Sequence, residues 1–489
     1  MRLGPAQLPP EAEAVEGGFE LRAGHVALAG GGATRFYRHG WQSWSEARWC
    51  ELSEPVAPIE PPERRPQADD PRYAEAPRHG GSGVGALAGA DGTVLLLGAL
   101  EPGARVEADT AGMEGHYEEG EGAWFLAYGA EDEVFAAYAE RLGERLGRRP
   151  ARDPAREPAP APRLWSSWYG FYRAISEAAL HEVLEGLRGL PFDAVQVDDG
   201  WQRAIGDWEA NDAFPSGMQA LAGRIAAAGF TPGLWLAPFI VRPYSRLCDE
   251  HPGWLLRDED GVPVPAGVNW GGPFYALDTT HPEVEAWLGE TLRRVRSWGF
   301  ELLKLDFVYA AALPGARHRP VPRERAYRQA LGLAREAIGD EAYLLACGAP
   351  ILPSLGLADA LRIGPDTAPY WDNEDRRRWL HDPTGPAARG ALLTSLARLW
   401  LRPLVHLDPD VAFFRSRYDL LTPPQRRALQ DLGLVAGFKG CSDPPSWLLP
   451  DEREALAAWL RLEPTVTRLG ERRFRVDGRP LTFDLLDDA

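Results

Sequence analysis

The sequence predicts an α/β protein in which a parallel sheet of (β/α)8 size follows a β-rich leading region and precedes a short β appendage. Three observations predict it. From Arg163 onward, short apolar runs alternate with amphipathic stretches, the pattern of βα units in a parallel sheet. Eight such runs fall within about 280 residues, the count and size of a (β/α)8 barrel. Before Arg163 the texture is short apolar or alternating runs broken by Gly, Pro and acidic clusters, which reads as a β-domain.

Residues 1–147 make this leading domain, with runs at Phe19 to Leu21, Val26 to Leu28, Val94 to Leu97 and Trp124 to Tyr128. Pro55 to Arg78, rich in Pro, Glu and Arg, reads as an irregular loop. Gly40 to Ser45, GWQSWS, sets Trp41 and Trp44 beside hydroxyl and amide groups. Glu131 to Leu146 carries apolar residues at helical spacing, and residues 148–162 form a Pro/Arg linker.

Residues 163–462 are the expected barrel. Strands are expected at Leu164 to Tyr169, Ala194 to Val197, Thr231 to Ala237, Leu302 to Phe307, Tyr343 to Cys347, Ala360 to Ile363, Leu404 to Leu407 and Gly437 to Ser442. Helices are expected at Glu177 to Arg188, Gln219 to Ala228, Pro282 to Ser297, Arg323 to Ile338, Ala387 to Leu401, Pro424 to Leu434 and Asp451 to Arg461. The gap from Ile240 to Phe300 must hold an insertion. In residues 463–489, Phe474 to Val476 and Leu481 to Leu486 can pair across Asp477-Gly478 as a terminal β hairpin.

Composition narrows the function. The 489 residues carry a net charge of -18, which argues against a nucleic-acid partner. The four cysteines, Cys50, Cys248, Cys347 and Cys441, are widely spaced, a reduced and intracellular pattern with no metal-type spacing. No leader-like stretch and no run of eighteen apolar residues occurs, so the expectation is a cytoplasmic chain with no membrane partner. Eighteen tryptophans are in excess, and their faces suit sugar rings as well as a core.

A barrel places its chemistry at the C-terminal ends of its strands. Those ends carry Trp165-Ser166-Ser167-Trp168-Tyr169, Asp198-Asp199-Gly200-Trp201, Trp235, Lys304 with Asp306, Cys347-Gly348, Arg362 with Asp366, and Asp408-Pro409-Asp410. Lys304 stands out, because of 53 Lys and Arg residues only Lys304 and Lys439 are lysine. A position that keeps lysine in such a composition calls for a compact ammonium, as partner to Asp306 or to a ligand. Carboxylates with aromatic platforms are the equipment of glycoside chemistry, in which one carboxylate attacks the anomeric carbon and another protonates the leaving oxygen.

The motifs LWSSWYGFY, VDDGWQ, GLWLAPF, LLKLDFVYAA, CGAP and RIGPDTAPYW, with GWQSWS upstream, resemble those of the glycoside hydrolase family 36 α-galactosidases. The resemblance runs in unbroken order from about Arg163 to Pro409. It implies a retaining hydrolase of terminal α-D-galactosyl residues, melibiose or raffinose type, with an N-terminal β-sandwich, a (β/α)8 barrel and a C-terminal β-domain. It also implies Asp306 as nucleophile and Asp366 as acid/base. Asp198 and Asp199 would hold galactose O4 and O6, Lys304 the O3/O4 side, and Arg362 with Cys347 and Gly348 the O2 side. Trp168 and Trp235 would wall the pocket, with Trp44 reaching over the rim. No cofactor and no metal is implied. The leading domain is shorter than in large family members and the C-terminal domain is a remnant, so aglycone length and homo-oligomer formation stay open.

Three other readings compete. The same barrel could serve an α-N-acetylgalactosaminidase or a transglycosylating relative, although Cys347 and Arg362 would leave little room for an acetamido group. A strand lysine could form a Schiff base, but Asp306 so close would raise its pKa. A non-catalytic galactoside-binding protein would normally lack one of the two carboxylates.

Overall fold

The computed structural model describes residues 2–4, 6–149 and 159–486. The expected linker over 148–162 falls mostly on residues 150–158, outside the described residues. In the leading region two antiparallel sheets face each other. A seven-stranded sheet runs in the order Glu13–Val15, Gly18–Ala23, Gly122–Gly129, Val94–Ala99, Val84–Ala88, Arg35–Arg38, Arg48–Glu51. A four-stranded sheet has the order His25–Ala29, Gly112–Tyr117, Ala104–Ala108, His79–Ser82.

Strand side chains alternate between faces, and here that alternation fills two cores. Leu21, Phe36, Leu87, Leu95, Leu97 and Trp124 pack between the sheets with Val26, Leu28, Val106 and Met113. The opposite face, with Tyr37, Ala86, Leu96 and Phe125, packs on the helix Glu131–Leu146 and on the rest of the protein. Phe135 and Tyr138 of that helix meet Trp400, with ring centroids 5.5 Å apart in both pairs. Val94–Ala99 is therefore buried along its whole length.

The second region is built on one parallel sheet. Its strands are β1 (Leu164–Ser166), β2 (Ala194–Val197), β3 (Thr231–Leu236), β4 (Leu302–Leu305), β5 (Tyr343–Ala346), β6 (Ala360–Arg362), β7 (His406–Asp408), β8 (Val411–Ala412) and β9 (Gly440–Cys441). They lie in the order β7-β6-β5-β4-β3-β2-β1-β9-β8. The sheet curls so far that its two edges, β7 and β8, are separated in the chain by only Pro409 and Asp410. Helices Glu177–Leu187, Gly217–Ala227, Pro282–Ser297, Arg323–Ile338, Ala388–Ala397 and Pro423–Ala436 connect successive strands.

Several boundaries differ from expectation. β1 stops at Ser166, because Ser167 takes helical dihedrals and Trp168–Phe171 forms a short helix. The Tyr169 N–H that a longer strand would have paired goes instead to Ser442 Oγ at 2.8 Å. β7 begins at His406 and β9 at Gly440, later than expected, since Leu404 closes a turn onto Leu401 and Gly437 caps the helix before it. The expected helix Ala387 to Leu401 ends at Ala397 and passes into a 3-10 turn, Leu399–Leu401.

The insertion after β3 holds a small antiparallel sheet of Ile240–Val241, Gly272–Ala276 and Pro265–Asn269. The last segment makes three strands, Val466–Gly470, Arg473–Val476 and Arg479–Thr482, rather than two, with the tight turn at Asp477-Gly478. The expected last strand to Leu486 ends at Thr482, and Asp484–Leu486 is a 3-10 turn. No helix among the described residues is long and apolar enough to cross a membrane.

Candidate active site

The polar residues expected at the strand ends do meet, around the C-terminal ends of the parallel strands. β2 ends at Val197, and the chain turns through Asp198, Asp199 and Gly200. Gly200 has φ +125°, and a Cβ there would lie 2.9 Å from the Arg173 backbone, so this turn needs glycine. Asp198 accepts from Lys304 Nζ at 2.9 Å, Gln196 Nε2 at 2.6 Å and the Asp199 N–H at 2.9 Å. Asp199 accepts from Gln202 Nε2 at 2.6 Å and Trp270 Nε1 at 2.7 Å. Burial raises its pKa, and those two donors work against the rise.

β4 supplies Lys304 and, one residue past its end, Asp306. Lys304 lies closer to Asp198 than to Asp306, at 2.9 and 3.9 Å. Burial alone would lower the lysine pKa, but Asp198 and then Asp306 outweigh it and raise it, so the ammonium persists. Asp306 accepts from Trp235 Nε1 at 2.9 Å and from the Phe307 N–H at 2.8 Å. Trp235, expected as a wall, is buried and serves as a hydrogen-bond donor to this carboxylate, and it is not among the residues lining the cavity described below. Phe307 sits in the left-handed region, φ +53°, which sharpens the turn after Asp306.

Arg362, at the end of β6, is the hub of the other half. Its Nη1 donates to Asp366 at 3.0 Å, its Nε to Asp408 at 2.9 Å and its Nη2 to Asp410 at 2.8 Å. The Asp366 carboxyl, 33% exposed, opens onto the cavity. Its pKa is pushed up to about 7, by burial first and then by the charges of Asp410 and Asp306, against the pull of Arg362 and Lys304. Cys347 is fully buried, and burial together with Asp306 holds its thiol far above the usual range. Gly348 has φ +54°, and a Cβ on it would lie 3.0 Å from Trp44 Cη2 and 3.2 Å from the Phe307 backbone.

A cavity of about 330 Å³ opens over this cluster, lined by Trp44, Trp168, Tyr169, Tyr172, Phe307, Asp366 and Tyr370, among others. Trp44 arrives from the leading region and packs edge-on against Phe307, centroids 4.9 Å apart. The segment that carries it is tied down from both sides. The Ser43 N–H donates to the Ala349 carbonyl at 3.0 Å, and the Ala349 N–H to Ser43 Oγ at 2.9 Å. The buried Arg398 guanidinium donates to the carbonyls of Gly40, Gln42, Ser43 and Ser45, and to that of Ile363.

Some residues of this site lie outside the strand-end motifs. Trp270 comes from the inserted sheet, and its aromatic-plus-Gly-Gly turn, NWGG, was the available signal. Arg64 and Gln67 come from the loop Pro55 to Arg78, which therefore does reach the cavity. Gln67 Oε1 accepts from the Val268 N–H at 3.0 Å, joining that loop to the insertion. Asp410 stood at the strand-seven end but without an assigned partner. A larger cavity, about 970 Å³, lies at the opposite ends of the strands and touches none of these residues. Among the described residues no His, Cys, Asp and Glu cluster could hold a metal ion.

Comparison with known proteins fits this geometry. A family model described as Melibiase matches residues 145–337. The α-galactosidase TtGalA of Thermus thermophilus, solved in complex with p-nitrophenyl α-D-galactopyranoside, is 51% identical over 98% of this chain and 96% of that one, with a TM-score of 0.91. The same protein, solved in complex with stachyose, aligns at 52% identity over 92% of this chain and 96% of that one, TM-score 0.87. The α-galactosidase AgaA of Geobacillus stearothermophilus, 17% identical, shares the fold with a TM-score of 0.59 over 90% of this chain and 62% of its own. Alpha-galactosidase 2 of Pediococcus pentosaceus is 26% identical over 172 residues, 33% of this chain, and the match spans 23% of that relative's length.

Proposed function

The chain belongs to the glycoside hydrolase family 36 α-galactosidases, and on that premise we propose that it is a retaining α-galactosidase releasing terminal α-D-galactose from galacto-oligosaccharides. In this reading Asp306 attacks the anomeric carbon while Asp366 protonates the departing oxygen. Asp366 then takes a proton from the water that opens the galactosyl-enzyme.

One observation carries the reading: two carboxylates of one cluster have opposite surroundings. Asp306 accepts two N–H bonds and lies beside an ammonium, which suits a carboxylate that must attack while charged. Asp366 is pushed up to about 7, which suits a group that gives up a proton and takes one back near neutral pH.

The sugar is held, in this scheme, by Asp198 and Asp199 at O4 and O6, Lys304 at O3/O4, and Arg362, Cys347 and Gly348 at O2. Trp168 and Trp44 form the walls, with Trp235 donating to Asp306. The close approach of Trp44 to Gly348 favours a plain O2 hydroxyl over an acetamido group. The stachyose complex of the Thermus relative supports an oligosaccharide substrate. We read the curled sheet as a (β/α)8 barrel closed across Pro409-Asp410, within a catalytic domain of residues 163–462. A β-sandwich over 1–147 and an appendage over 463–489 flank it, and the chain works in the cytoplasm.

The test is release of 4-nitrophenol from its α-D-galactoside by wild type and by Asp306→Gly, with and without azide. Wild type is expected to be active and Asp306→Gly silent, with azide restoring turnover and giving β-galactosyl azide. A folded Asp306→Gly that azide does not revive, or that yields the α-azide, removes Asp306 as nucleophile.

A further inference from the structure

Asp410 has no part in the scheme above, yet its carboxylate is fully engaged beside the acid/base group. It accepts from Arg362 Nη2 at 2.8 Å, from the Thr367 N–H at 2.9 Å and hydroxyl at 3.1 Å, and from the Tyr169 hydroxyl. Asp410 is buried and has φ +75°, a left-handed conformation that costs a non-glycine residue free energy. That conformation sits at the break between β7 and β8. Two residues apart in the chain, Asp408 and Asp410 both turn their carboxylates to the Arg362 fork.

The charge count at the fork gives Asp410 a purpose. One guanidinium serves three carboxylates, Asp366, Asp408 and Asp410. Asp408 and Asp410 are 4% and 5% exposed, whereas Asp366 is open to the cavity and receives a single N–H from Arg362. One guanidinium is shared by two buried carboxylates and a third, half-buried one, and the carboxyl with the fewest donors is where a proton settles.

We propose that Asp410 is a positioning residue for the acid step: it occupies the Arg362 fork and adds a fixed negative charge, and so keeps a proton on Asp366. This rests on the assignment of Asp366 as acid/base. The charged and titratable groups around Asp366 are Arg362 on β6, Asp408 and Asp410 at the β7–β8 break, Lys304 and Asp306 from β4, Cys347 after β5, Tyr169 and Tyr172 after β1, and Tyr370 with Arg376 and Arg64 across the cavity. After burial, Asp410 is the strongest influence raising the Asp366 pKa. Its removal also frees Arg362 to pull on Asp366, so both effects have the same sign.

The experiment is the pH profile of kcat/KM for wild type, Asp410→Asn, Asp408→Asn and Asp366→Asn, on raffinose and on 4-nitrophenyl α-D-galactoside. The alkaline limb of Asp410→Asn is expected about one pH unit below that of wild type, so that activity on raffinose at pH 8 falls about tenfold further than at pH 5. The loss is smaller on the nitrophenyl substrate, whose leaving group needs little protonation. Asp408→Asn, on the same fork, moves the limb less than half as far. Asp410→Ser must reproduce the shift, and it serves if Asp410→Asn does not fold. An alkaline limb that persists in Asp366→Asn overturns the acid assignment itself. A limb that depends on Asp366 but stays in place in both Asp410 variants, with activity lowered equally at every pH, overturns only the role given to Asp410.

Discussion

Replacing Lys304 by methionine tests the charge balance of the other half of the cluster. The ammonium lies 2.9 Å from Asp198 and 3.9 Å from Asp306, carboxylates 4% and 9% exposed. Removing one partner of a buried pair costs about 3–5 kcal/mol, because the remaining charge is left uncompensated. An unfolding entropy of about 2.1 cal/mol/K per residue amounts to roughly 1 kcal/mol/K for a chain of this length, so Tm should fall by about 3–5 °C if unfolding is concerted. The pH dependence follows from the sign of the shift. The folded pKa of Lys304 is raised, so its contribution is complete below its unfolded value of about 10.4 and is lost only as pH rises through the folded value. In wild type that contribution is constant between pH 5 and pH 7.5 on this ground. In Lys304→Met, protonating a carboxylate removes the unpaired charge, so the deficit narrows toward pH 5. Tryptophan-fluorescence melts of both proteins at pH 7.5 and pH 5 measure it. A deficit under about 1 °C at pH 7.5, or one of equal size at both pH values, refutes the argument.

Two further substitutions probe the walls of the site. Trp270→Phe removes a charge-assisted bond to Asp199 and keeps the ring, and a loss of about 1.5–3 kcal/mol predicts kcat/KM on 4-nitrophenyl α-galactoside lowered roughly 10- to 100-fold. A change under about twofold would show that this bond does not position Asp199 for substrate. Arg398→Met takes the guanidinium from five carbonyls, of which only that of Gln42 keeps another donor, at a cost of about 1–3 kcal/mol for each buried group left unpaired, and is expected to lower Tm and raise KM for raffinose as Trp44 loses its anchor. An unchanged KM in a folded variant would separate Trp44 from this guanidinium.

The sequence was most legible where structure is local. Runs such as Ala194 to Val197, with the single polar Gln196, and Tyr343 to Cys347 fall on β2 and β5 because strands buried on both faces are mostly apolar, and sequence shows that directly. Residues at strand ends, Asp198, Lys304, Asp306 and Arg362, were visible for the same reason. Strand limits were less so. At Trp168 and Tyr169 the aromatic run LWSSWYGFY has no period to mark where extension stops. The nearer partner of Lys304 is Asp198, 106 positions away, where sequence proximity pointed to Asp306. Arg64 and Gln67 reach the cavity, and Trp270 reaches Asp199, through contacts between distant segments, which leave no periodic trace. After burial, the strongest influence raising the Asp366 pKa is the charge of Asp410, which reaches it from a different strand end and so leaves no local trace in the sequence around Asp366.

The tie between Trp44 and its anchors also bears on how the molecule matures. A nascent chain carries Gly40 to Ser45 roughly three hundred residues before Ala349 and Arg398 exist to receive it, and contacts of such separation form late. The two sheets of the leading region form their shared core from pairings within that region, none of which involves Trp44. The cavity gains that wall only when the rest of the chain has emerged and docked. A chain that stops short of Arg398 therefore lacks the guanidinium that holds the Trp44 segment in place, even where the residues of the leading core are all present.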